Sequence, residues 1–282
     1  MKIARDRASL RRERSELRGP VGLVPTMGAL HAGHDSLLAA ARADCASVIA
    51  SIFVNPTQFG PGEDFKKYPR HEEADLAMLE RAGVDVAFLP GVEDIYPVGA
   101  STFVDVGNVG SVLEGAHRPG HFRGVATVVT ILFHLTSPDR AYFGQKDGQQ
   151  AVVVKKLVRD LGLPLEIVVR PTLREPDGLA FSSRNVYLSA QERVQAVVLS
   201  RALQAAADAF DAGERSADRL RQLMATEIAK APLGSPDYMS VADGQTLEEL
   251  QSVDRPALAS VAVRFPSARL IDCTPLVVGV GQ

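Results

Sequence analysis

The sequence contains no tryptophan and only two cysteines, Cys45 and Cys273, in 282 residues. Two thiols so far apart do not make a disulfide framework and fit a reducing compartment. No apolar run reaches the roughly 18 residues of a membrane span, so no spanning helix is expected. An excess charge of one sign is also missing. Thirty-one Lys and Arg against 34 Asp and Glu leave a formal charge of −3, which excludes a global basic field for DNA or RNA. The Arg-rich N-terminus lacks the apolar stretch of a signal peptide, and Asp6, Glu13 and Glu16 argue against an acid-poor transit peptide. Leu10 and Leu17, seven apart, suit a mostly solvated surface helix. The expected location is cytoplasmic.

What is there is an ordinary globular composition, 46% hydrophobic and 23% charged, long enough for one large domain or two moderate ones. Short apolar runs alternate with amphipathic stretches over the first two thirds. The pattern predicts strands at residues 21–24, 47–54, 84–89, 140–144 and 165–169. Helices are predicted at 34–44, 72–82, 123–135 and 147–161, and residues 103–106 are ambiguous. Such β-α alternation gives an α/β fold with a Rossmann-like, mostly parallel sheet. After about residue 176 the pattern changes. Ala-rich helices at 190–212 and 216–231 are followed by strands near 238–241, 257–263 and 269–271. Short links between the last two suggest an antiparallel arrangement in a second, smaller α+β domain. The expected domains are therefore residues 1–175 and 176–282.

Three stretches carry groups suited to chemistry. The first is Pro25-Thr26-Met27-Gly28-Ala29-Leu30-His31-Ala32-Gly33-His34, between a predicted strand and a predicted helix, where α/β sheets bind nucleotides. Gly28 and Gly33 permit tight turns, and free N–H groups at the helix start attract phosphate. His31 and His34, three apart, face one side of a helix and could stabilise developing phosphate charge. The same H-x-x-H pair could begin a zinc site, but no neighbouring Cys or His supplies further ligands, so no protein-held metal centre is expected. Alone, the histidines would read as exposed or capping residues.

The second stretch is Phe143-Gly144-Gln145-Lys146-Asp147-Gly148-Gln149-Gln150. Lys146 offers a point charge to phosphate, and Asp147 could cap the helix or help hold magnesium. A lysine at a strand end is otherwise simply solvated. The third is Leu179-Ala180-Phe181-Ser182-Ser183-Arg184-Asn185, where paired hydroxyls precede an arginine. That set can bind an anion, although serine-rich loops are commonly turns.

Taken together, PTMGALHAGH resembles the HIGH-type motif of the nucleotidyltransferase superfamily, and FSSRN resembles its KMSKS-type loop. SIFVNPTQF, YPR, EGAHRPGHFRGVATVV, FGQKDGQQ, GLAFSSRN and ARLID follow in the order and spacing of the pantothenate synthetase family. The resemblance runs from about Val21 to Asp272. It implies ATP-dependent joining of pantoate to β-alanine through a pantoyl-adenylate, with AMP and pyrophosphate released. It further implies ATP contacts at Met27, Gly28, Ala29, Leu30, His31, Ala32, Gly33 and His34. A second ATP-binding set covers Gly144, Gln145, Lys146 and Asp147. A third covers Phe181, Ser182, Ser183 and Arg184, with Leu173 near the adenine. His34, His31, Lys146 and Arg184 are the implied catalytic groups.

Gln58 and Gln150 match the glutamines that hold pantoate, with Asn55 near enough to join them. A glutamine amide can donate and accept at once, which suits a hydroxyl beside a carboxylate. Residues 1–175 would thus bind nucleotide and pantoate, and 176–282 would act as a lid. Magnesium and a homodimer are implied, with no nucleic-acid or membrane partner. EGAHRPGHFRG would close the pantoate end without a catalytic role. Phe181 and Gly148 depart from the family's usual residues, and altered packing around ATP is expected from them. Rival readings are a cofactor adenylyltransferase, which would need no paired glutamines, a tRNA synthetase, for which a basic extension is missing, and a non-catalytic nucleotide sensor, which would be expected to lose some of these charged groups.

Overall fold

A computed structural model describes residues 1–278. The chain divides into two compact units. Met1–Gly144 and Val153–Arg170 form the first, and Gln145–Val152 joins the chain from Pro171 onward in the second. The division falls a few residues before the expected boundary at 175/176. It also assigns the segment after residue 144 to the second unit, an exchange that local sequence pattern does not signal.

In the first unit, β1 (Lys2–Ala4), α1 (Arg7–Ser15), β2 (Val21–Thr26), α2 (Ala32–Asp44) and β3 (Ser47–Ile52) come first. They are followed by α3 (Glu72–Arg81), β4 (Val86–Phe88), α4 (Val92–Ile95), α5 (Glu114–His117), α6 (His121–Thr136) and β5 (Arg140–Gly144). After α7 (Gly148–Asp160), β6 (Glu166–Arg170) completes a six-stranded sheet in the order β1-β4-β3-β2-β5-β6, parallel throughout. β2 and β3 are almost wholly buried, which is why both read as continuous apolar runs. Gly22 lets α2 approach the sheet, since a Cβ there would lie 3.0 Å from Cys45 Sγ and 3.2 Å from Tyr142 Cε2. Leu37, Leu38 and Ala41 of α2 fill the core with Val24, Val48, Ala50 and Leu79.

Strand order reverses between β2 and β5, the position at which open α/β sheets receive ligands. The ladder between these strands holds only Gly22↔Arg140 and Leu23↔Ala141. Pro25, which has no N–H to donate, lies beyond it, so the sheet forks where the first motif begins.

An N-terminal helix forms, but it ends at Ser15, short of Leu17, Leu10 is fully buried, and Lys2–Ala4 adds an edge strand on β4. Three residues give no usable periodicity. Residues 103–106 form no strand. The Val104 N–H instead donates to Thr127 Oγ1 of α6 at 2.9 Å.

The second unit contains α8 (Ala190–Ala196), α9 (Val198–Asp211), α10 (Ala217–Ile228) and an antiparallel sheet in the order β7 (Ser235–Asp243), β8 (Ala257–Arg264), β9 (Arg269–Leu276). Leu199, Leu203 and Phe210 of α9 pack in one core with Leu220, Met224 and Ile228 of α10 and Val241, Val261 and Val263 of the sheet. The single helix expected at 190–212 is interrupted at Val197, whose carbonyl accepts a hydrogen bond from Ser200 Oγ at 2.9 Å. A serine hydroxyl competing for a helix carbonyl weakens the regular ladder there. Among the described residues, no helix is long and apolar enough to cross a membrane.

Candidate active site

The turn leaving β2 is held by a buried acid. Asp75, 3% exposed on the first turn of α3, accepts the Ala29 N–H at 2.9 Å and the Leu30 N–H at 2.7 Å. The turn needs Gly28 at φ +82°, where a Cβ would also lie 3.0 Å from Asp75 Oδ2, and it places Ala29 at φ +50°. Thr26 Oγ1 donates to Ser51 O and accepts the Gly28 N–H. The main-chain donors that the sequence offers to phosphate are thus partly engaged within the chain.

Two histidine side chains lie on the same turn. His31 is the N-cap of α2, and its Nδ1 accepts the Gly33 N–H at 3.1 Å. His34 Nδ1 accepts the His31 N–H at 3.3 Å. The ring centroids are 4.1 Å apart. With each Nδ1 acting as acceptor, the proton of each neutral ring belongs on Nε2, a donor on the side away from the main chain. Two such N–H donors at a helix start suit an anionic oxygen.

Gln58 joins this turn. Its Nε2 donates to Met27 Sδ at 2.9 Å, and its Oε1 accepts from Asn55 Nδ2 at 3.1 Å. Asn55, 1% exposed, accepts at Oδ1 from the Thr57 N–H, Thr57 Oγ1 and Tyr96 OH. Its Nδ2 also donates to Gly124 O at 3.1 Å. Three donors on one oxygen leave Asn55 one amide orientation, and that fixes Gln58. The carbonyl end of Gln58 is committed to Asn55, while among the described residues its amide end meets only a weak thioether acceptor. Simultaneous donation and acceptance, expected from the residue type, narrows here to a group that chiefly donates.

Behind Gln58, its backbone carbonyl accepts from His121 Nδ1 at 2.8 Å and Arg118 Nη2 at 3.2 Å. Arg118 also pairs with both carboxylate oxygens of Glu63, at 2.8 and 2.7 Å. Burial and the adjacent Arg118 cation lower the His121 pKa to about 4, so the ring is neutral at neutral pH. Burial alone would raise the Glu63 carboxyl, but Arg118 holds it below its ordinary value.

In the second unit, Lys146 and Ser182 line one small crevice with Ala180, Asn185, Ile271 and Asp272. The structure thereby brings the second and third motifs together. Lys146 Nζ lies 3.3 Å from Asp147 Oδ1. Ser182 caps a short 3-10 turn, Ser183–Tyr187, by accepting the Arg184 N–H at 3.2 Å. Phe181 N–H donates to Leu173 O at 3.2 Å, tying Leu173 to the third motif. Asp272, 3% exposed, receives both terminal nitrogens of Arg174 and the Cys273 N–H. Buried Asn185 Oδ1 has no partner among the described residues. Gln150 lies on the first turn of α7. Gly148 has no room for a side chain, because a Cβ there would lie 2.5 Å from Cys273 Sγ and 2.9 Å from Leu258 Cδ2. Among the described residues, no group of three or more His, Cys, Asp or Glu could hold a metal ion.

Sequence reasoning missed Asp75, Tyr96 and the Glu63–Arg118–His121 set as parts of this machinery. The acidic first turn of α3 reads as helix-dipole compensation. The other partners lie far along the chain with no shared spacing. Gly124 is the one local signal, since a Cβ there would lie 2.4 Å from Thr57 O, which marks a close backbone approach.

The family model for pantoate–β-alanine ligase matches residues 2–275. Pantothenate synthetase of Roseiflexus castenholzii is 56% identical over 96% of this chain and 98% of its own. That of Chloroflexus aurantiacus is 56% identical over 96% and 97%. The crystal structure of pantothenate synthetase from Thermus thermophilus aligns with a TM-score of 0.94 at 48% identity, covering 99% of this chain and 100% of that one. The Francisella tularensis pantoate–β-alanine ligase, crystallised with β,γ-ATP and β-alanine, aligns with a TM-score of 0.80 at 33% identity, covering 97% of each chain. With a full-length family match and the same fold in solved relatives, the chain belongs to the pantoate–β-alanine ligase family and is an enzyme of that class.

Proposed function

We propose that the chain condenses pantoate with β-alanine in two steps, using ATP. In the first, a pantoate carboxylate oxygen attacks the α-phosphorus of ATP, the bond to the β-phosphate oxygen breaks, and pyrophosphate leaves. In the second, the β-alanine amine attacks the acyl carbon of pantoyl-adenylate, loses a proton, and AMP departs with the bonding electrons of the acyl–oxygen bond. The observation that carries the reading is the His31–His34 pair, whose Nδ1 atoms are occupied by main-chain N–H groups beside Gln58 and Met27. That arrangement offers oriented donors to phosphate and an oriented amide to a polar acid. The Francisella relative, crystallised with β,γ-ATP and β-alanine, supports the choice of substrates.

In this reading ATP contacts Met27–His34, Gly144–Asp147, Leu173 and Phe181–Arg184, and pantoate contacts Gln58 and Gln150. His31, His34, Lys146 and Arg184 act catalytically. The attacking carboxylate and the triphosphate repel each other, so these donors offset charge that grows as pyrophosphate separates. Lys146 supplies a full charge, and the imidazoles supply directed hydrogen bonds without adding one. A neutral Gln58 amide orients the acid without quenching it in an ion pair.

Magnesium belongs to the reaction as the metal salt of ATP. One half-exposed carboxylate at Asp147 fits an ion held mainly by phosphate oxygens and water, which would neutralise phosphate charge. The protein acts in the cytoplasm as a homodimer, checked by cell fractionation and by light scattering of the purified chain. Purified protein incubated with ATP, magnesium, pantoate and β-alanine should yield pantothenate, AMP and pyrophosphate by mass. Labelled pyrophosphate should exchange into ATP with pantoate alone. Exchange that required β-alanine would sink the two-step reading.

A further inference from the structure

The EGAHRPGHFRG segment, left without a role by the reaction itself, supplies a closed set of hydrogen bonds around one carbonyl. Arg118 engages Glu63 through Nε and Nη2, reaches His121 Nε2 through Nη1 at 3.1 Å, and reaches Gln58 O through Nη2. Arginine can only donate, so His121 Nε2 is the acceptor of that bond. The His121 proton is therefore on Nδ1, where it donates to the same Gln58 carbonyl at 2.8 Å. The tautomer is set by Arg118, and Arg118 is set by the fork to Glu63. From the other side, α6 reaches the backbone at Thr57 because Gly124 has no side chain, and Asn55 bonds Gly124 O.

We propose that Glu63, Arg118 and His121 are positioning residues that act through the Gln58 main chain to set the pantoate requirement. The inference rests on the reading of Gln58 as a pantoate contact. Gln58 has a long side chain, and a small rotation of its backbone swings the amide away from the ligand. Two donors on its carbonyl, one supplied by a charged group, oppose that rotation. A clasp of this kind alters how well Gln58 presents its amide, and leaves the turn bearing His31 and His34 intact.

Steady-state kinetics of Arg118→Lys, His121→Ala and His121→Asn test it, with Gln58→Ala alongside. Lysine keeps the charge and loses the fork, so KM for pantoate should rise about 3- to 30-fold while KM for ATP stays within about twofold. Asparagine carries an amide N–H near the place of Nδ1, so His121→Asn should recover most of the loss caused by His121→Ala. In a Gln58→Ala background, Arg118→Lys should add little further pantoate defect. Glu63→Gln provides a milder change should Arg118→Lys fold poorly, and should shift pantoate KM in the same direction. If Gln58→Ala raises pantoate KM but the clasp variants do not, the positioning role is wrong. An equal rise in both KM values, tracking thermal instability, would show general structural support and overturn it too. Unchanged pantoate dependence in Gln58→Ala would remove the assignment of Gln58 and the inference with it.

Discussion

The turn after β2 and the segment after β5 both follow strands of the parallel sheet, yet they are anchored by different physics. At the first, one ionised carboxylate accepts two main-chain N–H groups, and charge-assisted bonds of this type are roughly twice as strong as neutral ones. At the second, Cys273 Sγ donates to Gln145 O at 2.8 Å, a weak donor at a short distance. Burial, reinforced by Asp272, pushes the Cys273 thiol up to about 12, so it remains protonated and able to donate. The rest of that anchor is fit, since Gly148 leaves no space beside Cys273 and Leu258. The first anchor should depend on keeping its acceptor, and the second on keeping its volume.

The first segment carries His31 and His34, and the second carries Lys146, all proposed to act on phosphate, and removing His34 or Lys146 should have the largest effect. His34→Ala and Lys146→Ala should each lower pantoate-dependent pyrophosphate exchange about 10²- to 10³-fold, with little change in thermal unfolding. Near-normal exchange in one of them would remove that residue from the groups acting on phosphate.

Asp75→Ala breaks the acceptor anchor. Two N–H groups lose their partner, at about 1–3 kcal/mol each, and denaturant unfolding should record the loss together with weakened exchange. Asp75→Asn keeps one acceptor oxygen and should fall between. Gly148→Ala tests the fit anchor and should cost about 1–3 kcal/mol by overpacking. Cys273→Ala alone should be milder, and combined with Gly148→Ala it should restore part of the stability by removing the sulfur in the way. A severe Cys273→Ala beside a harmless Gly148→Ala would reverse the contrast.

The last effect concerns a charge-held anchor in the second unit. Glu192 exchanges hydrogen bonds with Ser189 and also accepts the Ser267 N–H and Oγ–H. The Ser189 bonds, followed by those from Ser267, lower its pKa to about 2 from an ordinary 4.5. The folded state binds this proton less readily than the unfolded state. The contribution is therefore complete above about pH 4.5 and disappears as pH falls toward 2. Thermal unfolding of Glu192→Gln against the parent should show a gap at neutral pH that closes across that window. A constant gap would assign the effect to shape and not to charge.

These contrasts also explain what the sequence could disclose. Strand and helix periodicity located most elements, and β5 at Arg140–Gly144 matches the expected span. Glycine and histidine spacing identified the first motif, and family resemblance supplied the glutamines. Neither could report that Asp75, on another helix, closes the turn, or that Asn55 settles the orientation of Gln58. Those facts depend on distances between remote residues. Gly148 is visible in the sequence as a letter, but the close approach of Cys273 that excludes a side chain there becomes apparent only when β9 is placed.

Asp75 has a consequence for solvent exchange. Ala29 and Leu30 belong to neither helix nor strand, and amides in such segments usually exchange rapidly. Here both N–H bonds end on a buried carboxylate, so they should exchange slowly even without ligand. In Asp75→Ala the same two amides should exchange rapidly while those in the interior of β3 remain protected. The integrity of the turn can thus be followed at two resonances, independently of catalysis.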